Sequence, residues 1–524
     1  MSDSTKIRIT RGEPNELGWV NLEPSDGELL IGNSPSKDAK PLLSFIHISD
    51  LHICDAQSPA RVELMDRFAD PHNPTSEMIP LVGAYRAQEI MTTQTLETMV
   101  RTINSISTGK HSERPIDFVI ATGDVTDNAQ ANELEWYLTI MDGGLVHPDS
   151  GDNEHWEGVA STDPKTYDRS YWNPEGTPDG CEDDFPRSLY GFPTIPGLTS
   201  AVRQPFMATG VRHKWLATHG NHDALLQGTV PPDELLTNIA TGGERLTELA
   251  PDIDLVKVFS GWSMVGPASY ADPKGGKFRS QDVDERRRLN QTSDWARLHL
   301  SCNHDGHGLT QTNIENGTKY WFKDIGDFRI ISLDTVNING GWQGSLDESQ
   351  FNWLKRILKE TTQKYIILAS HHPLHTMFNL FAPEGADRRI GIDEITDELL
   401  KHPKIKLWVA GHDHDNRIRY VGTEGENGFW HILTSSLIDW PQQGRMIEIF
   451  EDEQELVICT LVFDHQSPIN LEEATSNLLE AKNLAGISRI LSANHWQRRK
   501  NNEYFNELAA GEPTDRNRYL RLKI

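Results

Sequence analysis

Short apolar runs alternate with segments of helical periodicity along residues 42–410, and this alternation limits the fold more than any other feature of the chain. Between the first two runs, apolar residues recur at steps of three and four from Leu96 to Ile106. Residues 347–360 show the same spacing behind an acidic first turn. This order predicts an α/β fold built from strand–helix–strand units. The runs are LLSFIHI (42–48), DFVIA (117–121), KWLAT (214–218), FRIISL (328–333), KYIILAS (364–370) and IKLWVA (405–410).

Every one of these runs except FRIISL is followed directly by residues that can bind a metal ion. Asp50 and His52 follow the first run two residues apart, and in an extended chain such residues point to the same side. Taken singly, each motif is also compatible with a turn, a helix cap or a solvent-facing histidine. Because ligands gather at the carboxyl ends of the strands in α/β sheets, the motifs together predict one shared metal site. The other residues are Asp124, Asn221, His222, His371, His372, His412 and His414.

The motifs resemble the pattern of the calcineurin-like metallophosphoesterases, which runs D-x-H, G-D-x-x-D, G-N-H-D/E, H-x-P and G-H-x-H. In this chain the second motif ends at Asp127 and the third at Asp223. The resemblance spans roughly residues 42 to 465. It implies a four-layer α/β sandwich, in which helices flank two mixed β-sheets. It also implies hydrolysis of phosphate esters by attack of a metal-bridging hydroxide.

The resemblance further implies a ligand set for two metal ions, with Asp124 as the bridge between them. Imidazoles and hard oxygen ligands without a thiolate suit transition metals such as Mn, Fe or Zn, among which the sequence does not distinguish. The implied ligands of the first ion are Asp50, His52, Asp124 and His414. Those of the second ion are Asp124, Asn221, His371 and His412.

Three further residues near the motifs invite functional hypotheses. His222 is predicted to be catalytic, either by protonating the leaving oxygen or by stabilising the phosphorus centre. Asp223 is predicted to be catalytic together with His222, by orienting the His222 ring through a hydrogen bond, and the alternative is a local turn partner. Arg61 either contacts a phosphate oxygen or faces solvent, and we favour solvent.

The net charge of the chain constrains its partners. With 50 Lys and Arg against 77 Asp and Glu, the charge is −27, which opposes binding to nucleic acid or to an anionic membrane surface. We therefore expect a small-molecule phosphoester substrate, either a phosphodiester or a phosphomonoester. A nuclease is the alternative, which the absence of a basic, aromatic-lined stripe disfavours. A non-catalytic scaffold is disfavoured by the complete ligand set.

The predicted core domain covers residues 42–465. An N-terminal segment (1–41) precedes it and a helical extension (466–524) follows it. Two insertions, 142–212 and 225–318, interrupt the rhythm of strands and helices. Because the first insertion is rich in turn residues and aromatics, we expect an ordered segment, with a lid as one function.

Cysteine usage and hydropathy predict the compartment. The cysteines (Cys54, Cys181, Cys302 and Cys459) are scattered, without C-x-x-C spacing, as in a reducing compartment. The N-terminus has no apolar signal region, and no stretch of 18 or more apolar residues occurs. The sequence therefore predicts a cytoplasmic protein, with an oligomeric state that stays open.

Overall fold

Two β-sheets packed face to face carry the fold in the computed structural model. It describes residues 2–79, 83–263, 274–301, 306–423, 427–500, 503–504 and 509–524. In chain order, the strands of the two sheets are β1 (Ser2–Asp3), β2 (Lys40–Ile48), β3 (Phe118–Thr122), β4 (Trp215–Thr218), β5 (Trp321–Ile325), β6 (Phe328–Leu333), β7 (Tyr365–Ser370), β8 (Ile405–Ala410), β9 (Arg417–Gly422), β10 (Gly428–Leu433), β11 (Gln443–Asp452), β12 (Glu455–Asp464) and β13 (Arg518–Lys523).

Both sheets are mixed. The seven-stranded first sheet has the order β1-β12-β11-β2-β3-β4, and β13 also pairs with β12. Within it, β2, β3 and β4 are parallel, and the other pairs are antiparallel. The six-stranded second sheet has the order β5-β6-β7-β8-β10-β9, with antiparallel pairs only at its two edges.

The central strands are apolar on both faces, as parallel strands with helices outside require. In β7, Tyr365, Ile367 and Ala369 join the cluster between the sheets. Their neighbours Ile366 and Leu368 face the outer helices. The period of two therefore splits one continuous apolar run between two cores.

Helices cover the outer faces of both sheets, and this confirms the predicted four-layer α/β sandwich. Asp347 caps the helix Glu348–Glu360 by accepting a hydrogen bond from the Gln350 N–H, and Leu354 of this helix packs with Trp408 of β8. The main helices are α1 (Thr92–Asn104) and α2 (Ala131–Asp142) on the first sheet, α3 (Glu348–Glu360) and α4 (Ile392–Leu399) on the second, and α5 (Ala481–Ser492), which packs on α1.

Short elements fill the connections. None of the helices in the described ranges is both long and apolar enough to cross a membrane. The short helices are Phe185–Tyr190, Leu198–Val202, Glu234–Thr241, Leu255–Ser263, Asp294–Ser301, Gln311–Asn316, Leu471–Thr475 and Pro513–Arg516. The two-stranded ribbons pair Ile7–Arg11 with Leu22–Asp26, Gly144–Val146 with Phe206–Ala208, Glu244–Glu248 with Lys277–Ser280, Leu346–Asp347 with Arg389–Ile390, and Arg499–Lys500 with Glu503–Tyr504.

The insertion at 142–212 is tied to the C-terminal part of the chain. Trp172 and Phe192 of the insertion share a hydrophobic cluster with Leu484 and Trp496, which lie in and just after α5. The Trp172 indole N–H donates to the Pro193 carbonyl oxygen at 2.8 Å. The segment is thus a packed layer, and its role as a lid stays a prediction.

Candidate metal centre

The predicted ligands meet where strands of both sheets end. Asp50, Asp124 and Asn221 follow β2, β3 and β4, whereas His371 and His412 follow β7 and β8 of the other sheet. Residues that follow strands of different sheets are in contact. Asp124 Oδ2, after β3 of the first sheet, lies 3.1 Å from His371 Nε2, after β7 of the second. The Asp50 carboxylate also accepts the His412 backbone N–H at 3.0 Å.

Several of these residues have a left-handed backbone, which L-residues other than glycine adopt at a cost of about 1–3 kcal/mol each. Neighbouring loops hold this conformation: the His52 N–H donates to the Asp124 carbonyl oxygen at 2.9 Å. Such strain clusters at functional sites and supports this location. The positive φ angles are 52° at Asp50, 44° at His52, 48° at Asp124, 73° at His412 and 59° at His414.

Two glycines let the second and third motifs touch. A Cβ on Gly220 would lie 2.2 Å from the Asp124 nitrogen, and one on Gly123 would lie 2.8 Å from the His371 Cβ. Gly123 also has a φ of 86°. The glycine that opens each motif is therefore required for close approach of the backbones.

His52 and His414 form the first pair of facing imidazoles. The His52 Nδ1–H donates to Asp127 at 2.9 Å, and the His414 Nδ1–H donates to Asp439 at 2.8 Å. Their Nε2 atoms therefore face each other at 3.1 Å, and His414 Nε2 lies 3.4 Å from Asp50 Oδ1. Two nitrogen lone pairs at this distance repel unless a cation lies between them.

His371 and His412 form the second pair. The His371 Nδ1–H donates to the Thr122 carbonyl oxygen at 2.9 Å, so that its Nε2 faces His412 Nδ1 at 3.1 Å. The neighbouring His372 is not available in the same way, because its ring nitrogens contact Thr335 Oγ1 and the Trp342 carbonyl oxygen.

Asn221 supplies a buried amide oxygen to the second pair. Its Nδ2 donates to the Gly228 carbonyl oxygen at 3.0 Å, whereas its Oδ1 has no hydrogen-bond partner among the described residues. A buried polar atom without a partner is costly unless a ligand completes it. This orphaned oxygen and the two imidazole pairs fit a metal centre.

The charges of the site favour a cation. Burial opposes ionisation of Asp50, but His414 and His371 outweigh it and hold the pKa of this carboxyl at about 2. Burial likewise opposes protonation of His371 and His414, yet the facing carboxylates raise the pKa of each imidazole to about 9. Without metal, protons therefore supply the positive charge that a metal ion would bring.

Asp439 supports a predicted ligand, His414, and is not identified from the sequence. It follows β10 and orients His414, and it accepts hydrogen bonds from Arg86 Nε at 3.0 Å and Arg498 Nη2 at 3.4 Å. Arg86 lies 353 positions away in the chain. No local motif marks such a contact.

Neither alternative for Arg61 is correct. The side chain is buried, and its guanidinium donates to Asp127, to Glu89 at 2.9 Å and to Glu63 at 3.0 Å. Its N–H groups point to buried carboxylates, among them Asp127, which accepts the hydrogen bond from His52. Arg61 therefore does not reach the exposed side of the site.

His222 and Asp223 have separate tasks. The His222 Nδ1–H donates to the Asp127 carbonyl oxygen at 2.6 Å, and the ring lies on the partly exposed side of the site. The hydrogen bond considered between Asp223 and this ring is not formed, because both Asp223 carboxylate oxygens accept backbone N–H groups.

The Asp223 carboxylate instead joins two loops. It accepts the backbone N–H groups of Val125 and Thr126 at 2.9 Å and that of Gly220 at 2.8 Å. Burial and the charge of Asp124 raise the pKa of this carboxyl to about 7, against the hydrogen bonds that lower it. These contacts support the turn-partner alternative, and they add that Asp223 also binds the neighbouring loop that carries Asp124.

Comparison with known proteins confirms the resemblance. Residues 195–416 match the model of the calcineurin-like phosphoesterase family. This range includes Asn221, His371, His412 and His414 but begins after Asp50, His52 and Asp124. The structure brings the two groups together.

Three curated relatives are similar over part of the chain. Manganese-dependent ADP-ribose/CDP-alcohol diphosphatase of Xenopus tropicalis is 27% identical over 131 residues, which are 24% of this chain and 35% of the relative. The Xenopus laevis protein of the same name is 26% identical over 143 residues, 25% of this chain and 37% of the relative. A probable glycerophosphodiester phosphodiesterase of Arcobacter nitrofigilis is 30% identical over 103 residues, which are 18% of this chain and 37% of the relative. The match thus spans about a third of each relative.

Proposed function

Because the chain carries a calcineurin-like phosphoesterase domain, we propose that it is a dinuclear metal-dependent hydrolase of small-molecule phosphate esters. The observation that carries the proposal is the pair of facing imidazoles on each side of Asp124, with nitrogens 3.1 Å apart in both pairs. A metal ion with bonds of about 2.1 Å to nitrogen can join two such atoms.

The ligand assignment from the sequence is retained in this proposal. When bound, the ions would supply positive charge to the phosphoryl oxygens and lower the pKa of water. The first ion would be held by Asp50, His52, Asp124 and His414, and the second by Asp124, Asn221, His371 and His412.

The chain's own groups would orient the substrate and move protons. His222 is fixed through Nδ1, so its Nε2 is the atom that can donate a proton to a leaving oxygen. The ring packs closely against Gly228, where a Cβ would lie 2.5 Å from His222 Nε2. Gly228 therefore leaves space for the ring.

The rim beside His412 indicates a planar substituent on the substrate. The Trp342 ring lies 5.8 Å from that of His412 at an interplanar angle of 21°, and Phe378 lies 6.1 Å from Trp342. Both aromatic rings are partly exposed, at 37% and 44%. A nucleoside base stacks on such surfaces, and two of the relatives are named for ADP-ribose and CDP-alcohols.

A substrate panel with metal analysis tests the proposal. We expect two transition-metal ions per chain, manganese among them, and loss of hydrolysis on chelation. ADP-ribose should be cleaved with a lower KM than a glycerophosphodiester or a simple phosphomonoester. Trp342→Ala should raise the KM for ADP-ribose and leave that for the glycerophosphodiester unchanged. Less than one ion per chain, with activity insensitive to chelator, would contradict the mechanism.

A further inference from the structure

A second group of metal-binding side chains lies outside the centre described above. Ligand atoms of His111, Glu448 and Cys459 all lie within 4.8 Å of one another. Glu448 and Cys459 are buried, and His111 is exposed. The group thus combines an oxygen, a nitrogen and a sulfur ligand at a place open to solvent on one side.

Strand register brings two of these residues together. Glu448 of β11 and Cys459 of β12 are direct cross-strand partners, so their side chains share one face of the sheet. Residues so paired have Cβ atoms about 4.5–5.5 Å apart. The proximity is therefore built into the sheet.

The loop after α1 brings the third residue. Glu448 Oε1 accepts the Ser112 N–H at 2.8 Å, the Ser112 Oγ–H at 2.7 Å and the His111 N–H at 3.1 Å. These bonds hold the backbone of His111 at the carboxylate. The His111 ring lies 5.8 Å from that of Tyr519, which pairs with Cys459 on the other side of β12.

The group is remote from the phosphoesterase centre. Glu448 pairs with Ser44 of β2, and Asp50 follows Ser44 by six residues. At about 3.3 Å per residue this separates the two places by roughly 20 Å along the strand. Metal bound at one place therefore shares no ligand with the other.

We propose that His111, Glu448 and Cys459 form a third metal site, which takes a thiophilic divalent cation such as zinc. Thiolate, imidazole and carboxylate are the ligands that zinc prefers, and three protein ligands leave one position for water. The ion would join the loop at 105–117 to β11 and β12. Its binding would release the thiol proton, since the ligand is the thiolate.

Nearby charges are compatible with this ion. Burial and Glu448 raise the pKa of the Cys459 thiol well above its usual value, and the positive charge of Lys110 acts against them. The Lys110 ammonium donates to Thr5 Oγ1. A divalent cation would supply more positive charge than Lys110 and at shorter range.

Cobalt substitution separates this site from the main centre. Thiolate ligation gives Co²⁺ a near-ultraviolet charge-transfer absorption, and the ligands proposed for the main centre are all oxygen and nitrogen. Co²⁺ would be titrated into four metal-free proteins. They are the parent and the variants His111→Ala, Cys459→Ser and Asp124→Ala. We expect the fully loaded parent and Asp124→Ala to show the same absorption, with the intensity of one thiolate-bound Co²⁺ per chain. It should vanish in Cys459→Ser and fall several-fold in His111→Ala.

Two results would overturn the third site. One is a parent protein without the absorption at full cobalt loading, and the other is an absorption that persists in Cys459→Ser. His111 is exposed, so His111→Ala keeps the test valid if the buried Cys459→Ser variant does not fold. Zinc content after dialysis should fall by one equivalent in His111→Ala, while phosphoesterase activity stays at the parent level.

Discussion

The proposed metal centre has two halves on either side of Asp124, and their histidines are supported in different ways. The first half contains Asp50, His52 and His414, and the second contains Asn221, His371 and His412. In the first half, His52 and His414 donate to the carboxylates of Asp127 and Asp439. In the second half, His371 donates to the Thr122 carbonyl oxygen. A carboxylate partner makes an imidazole more basic than a neutral carbonyl does. We therefore expect the first half to hold its metal ion more tightly.

The charged support of the first half needs its own compensation. Burying a carboxylate without a partner is costly, and each of the two is paired with a buried arginine, Asp127 with Arg61 and Asp439 with Arg86. The second half needs no such pairs, since backbone carbonyls carry only partial charge. We therefore expect metal binding in the first half to depend on this polar layer, which distant parts of the chain contribute.

Asp124 lies between the halves, and its loss should have the largest effect. Asp124→Ala removes a proposed ligand from both ions, whereas His52→Ala removes one from the first half alone. Since metal ions contribute several kcal/mol to such reactions, kcat/KM should fall by roughly 1,000-fold or more in Asp124→Ala. Metal analysis should show both ions depleted. Equal, mild losses in the two variants would show that the assignment is wrong.

Substitution of His222 should lower activity strongly while both metal ions stay bound. The His222 ring lies 4.7 Å from that of His52, yet His222 is not a proposed ligand. If His222 protonates the leaving oxygen, His222→Ala should slow alkyl phosphoesters by about 100- to 10,000-fold in kcat/KM. Esters of p-nitrophenol should lose far less, because nitrophenolate leaves without a proton.

The control for His222→Ala is its metal content, which should equal that of the parent. A uniform loss across leaving groups would assign His222 to stabilisation of the phosphoryl oxygens. Loss of metal would make the residue a ligand or the support of one.

Asp439 tests the difference between the halves directly. Asp439→Asn keeps the size of the side chain and removes the charge behind His414. The metal affinity of the first half should fall by about 10- to 100-fold, as for other partners of metal-ligating histidines. The affinity of the second half should stay unchanged. Competitive titration with a chelator measures both, and a parallel loss in the two halves would remove the distinction.

The part of the site that the sequence predicts is the part encoded next to strands. Asp50 and His52 follow an apolar run, and the predicted run at 42–48 lies within β2 (Lys40–Ile48). The predicted runs at 328–333 and 405–410 have the same bounds as β6 and β8. Local periodicity and local motifs act together here, so each supports the other.

Other features depend on contacts that no local pattern encodes. Asp439 and Arg86 act together only because β10 and the segment before α1 meet in space. Strands β9 to β12 are absent from the predicted set, although ELVICTLVFD in β12 contains a long apolar run. Arg61 was expected at the surface because most arginines are exposed, and a cluster of buried carboxylates reverses that preference.

Asp223 joins the two halves, and its substitution should have the smallest and most even effect. Its carboxylate ties the loop of Asp124 to the loop of Asn221 through the backbone N–H groups of Val125 and Gly220. Asn has one acceptor oxygen and a donating NH₂ group, so Asp223→Asn would satisfy one loop and oppose the N–H groups of the other. Leaving buried N–H groups without acceptors costs about 1–3 kcal/mol.

We therefore expect Asp223→Asn to lower the free energy of unfolding by about 1–3 kcal/mol, measured by urea titration of the metal-free protein. Because both loops shift, the two metal affinities should weaken by the same few-fold factor. The leaving-group dependence should stay that of the parent, since the His222 ring is held by the Asp127 carbonyl oxygen. A steeper leaving-group dependence in Asp223→Asn would instead show that Asp223 supports the proton donor, and would return it to the catalytic role first predicted for it.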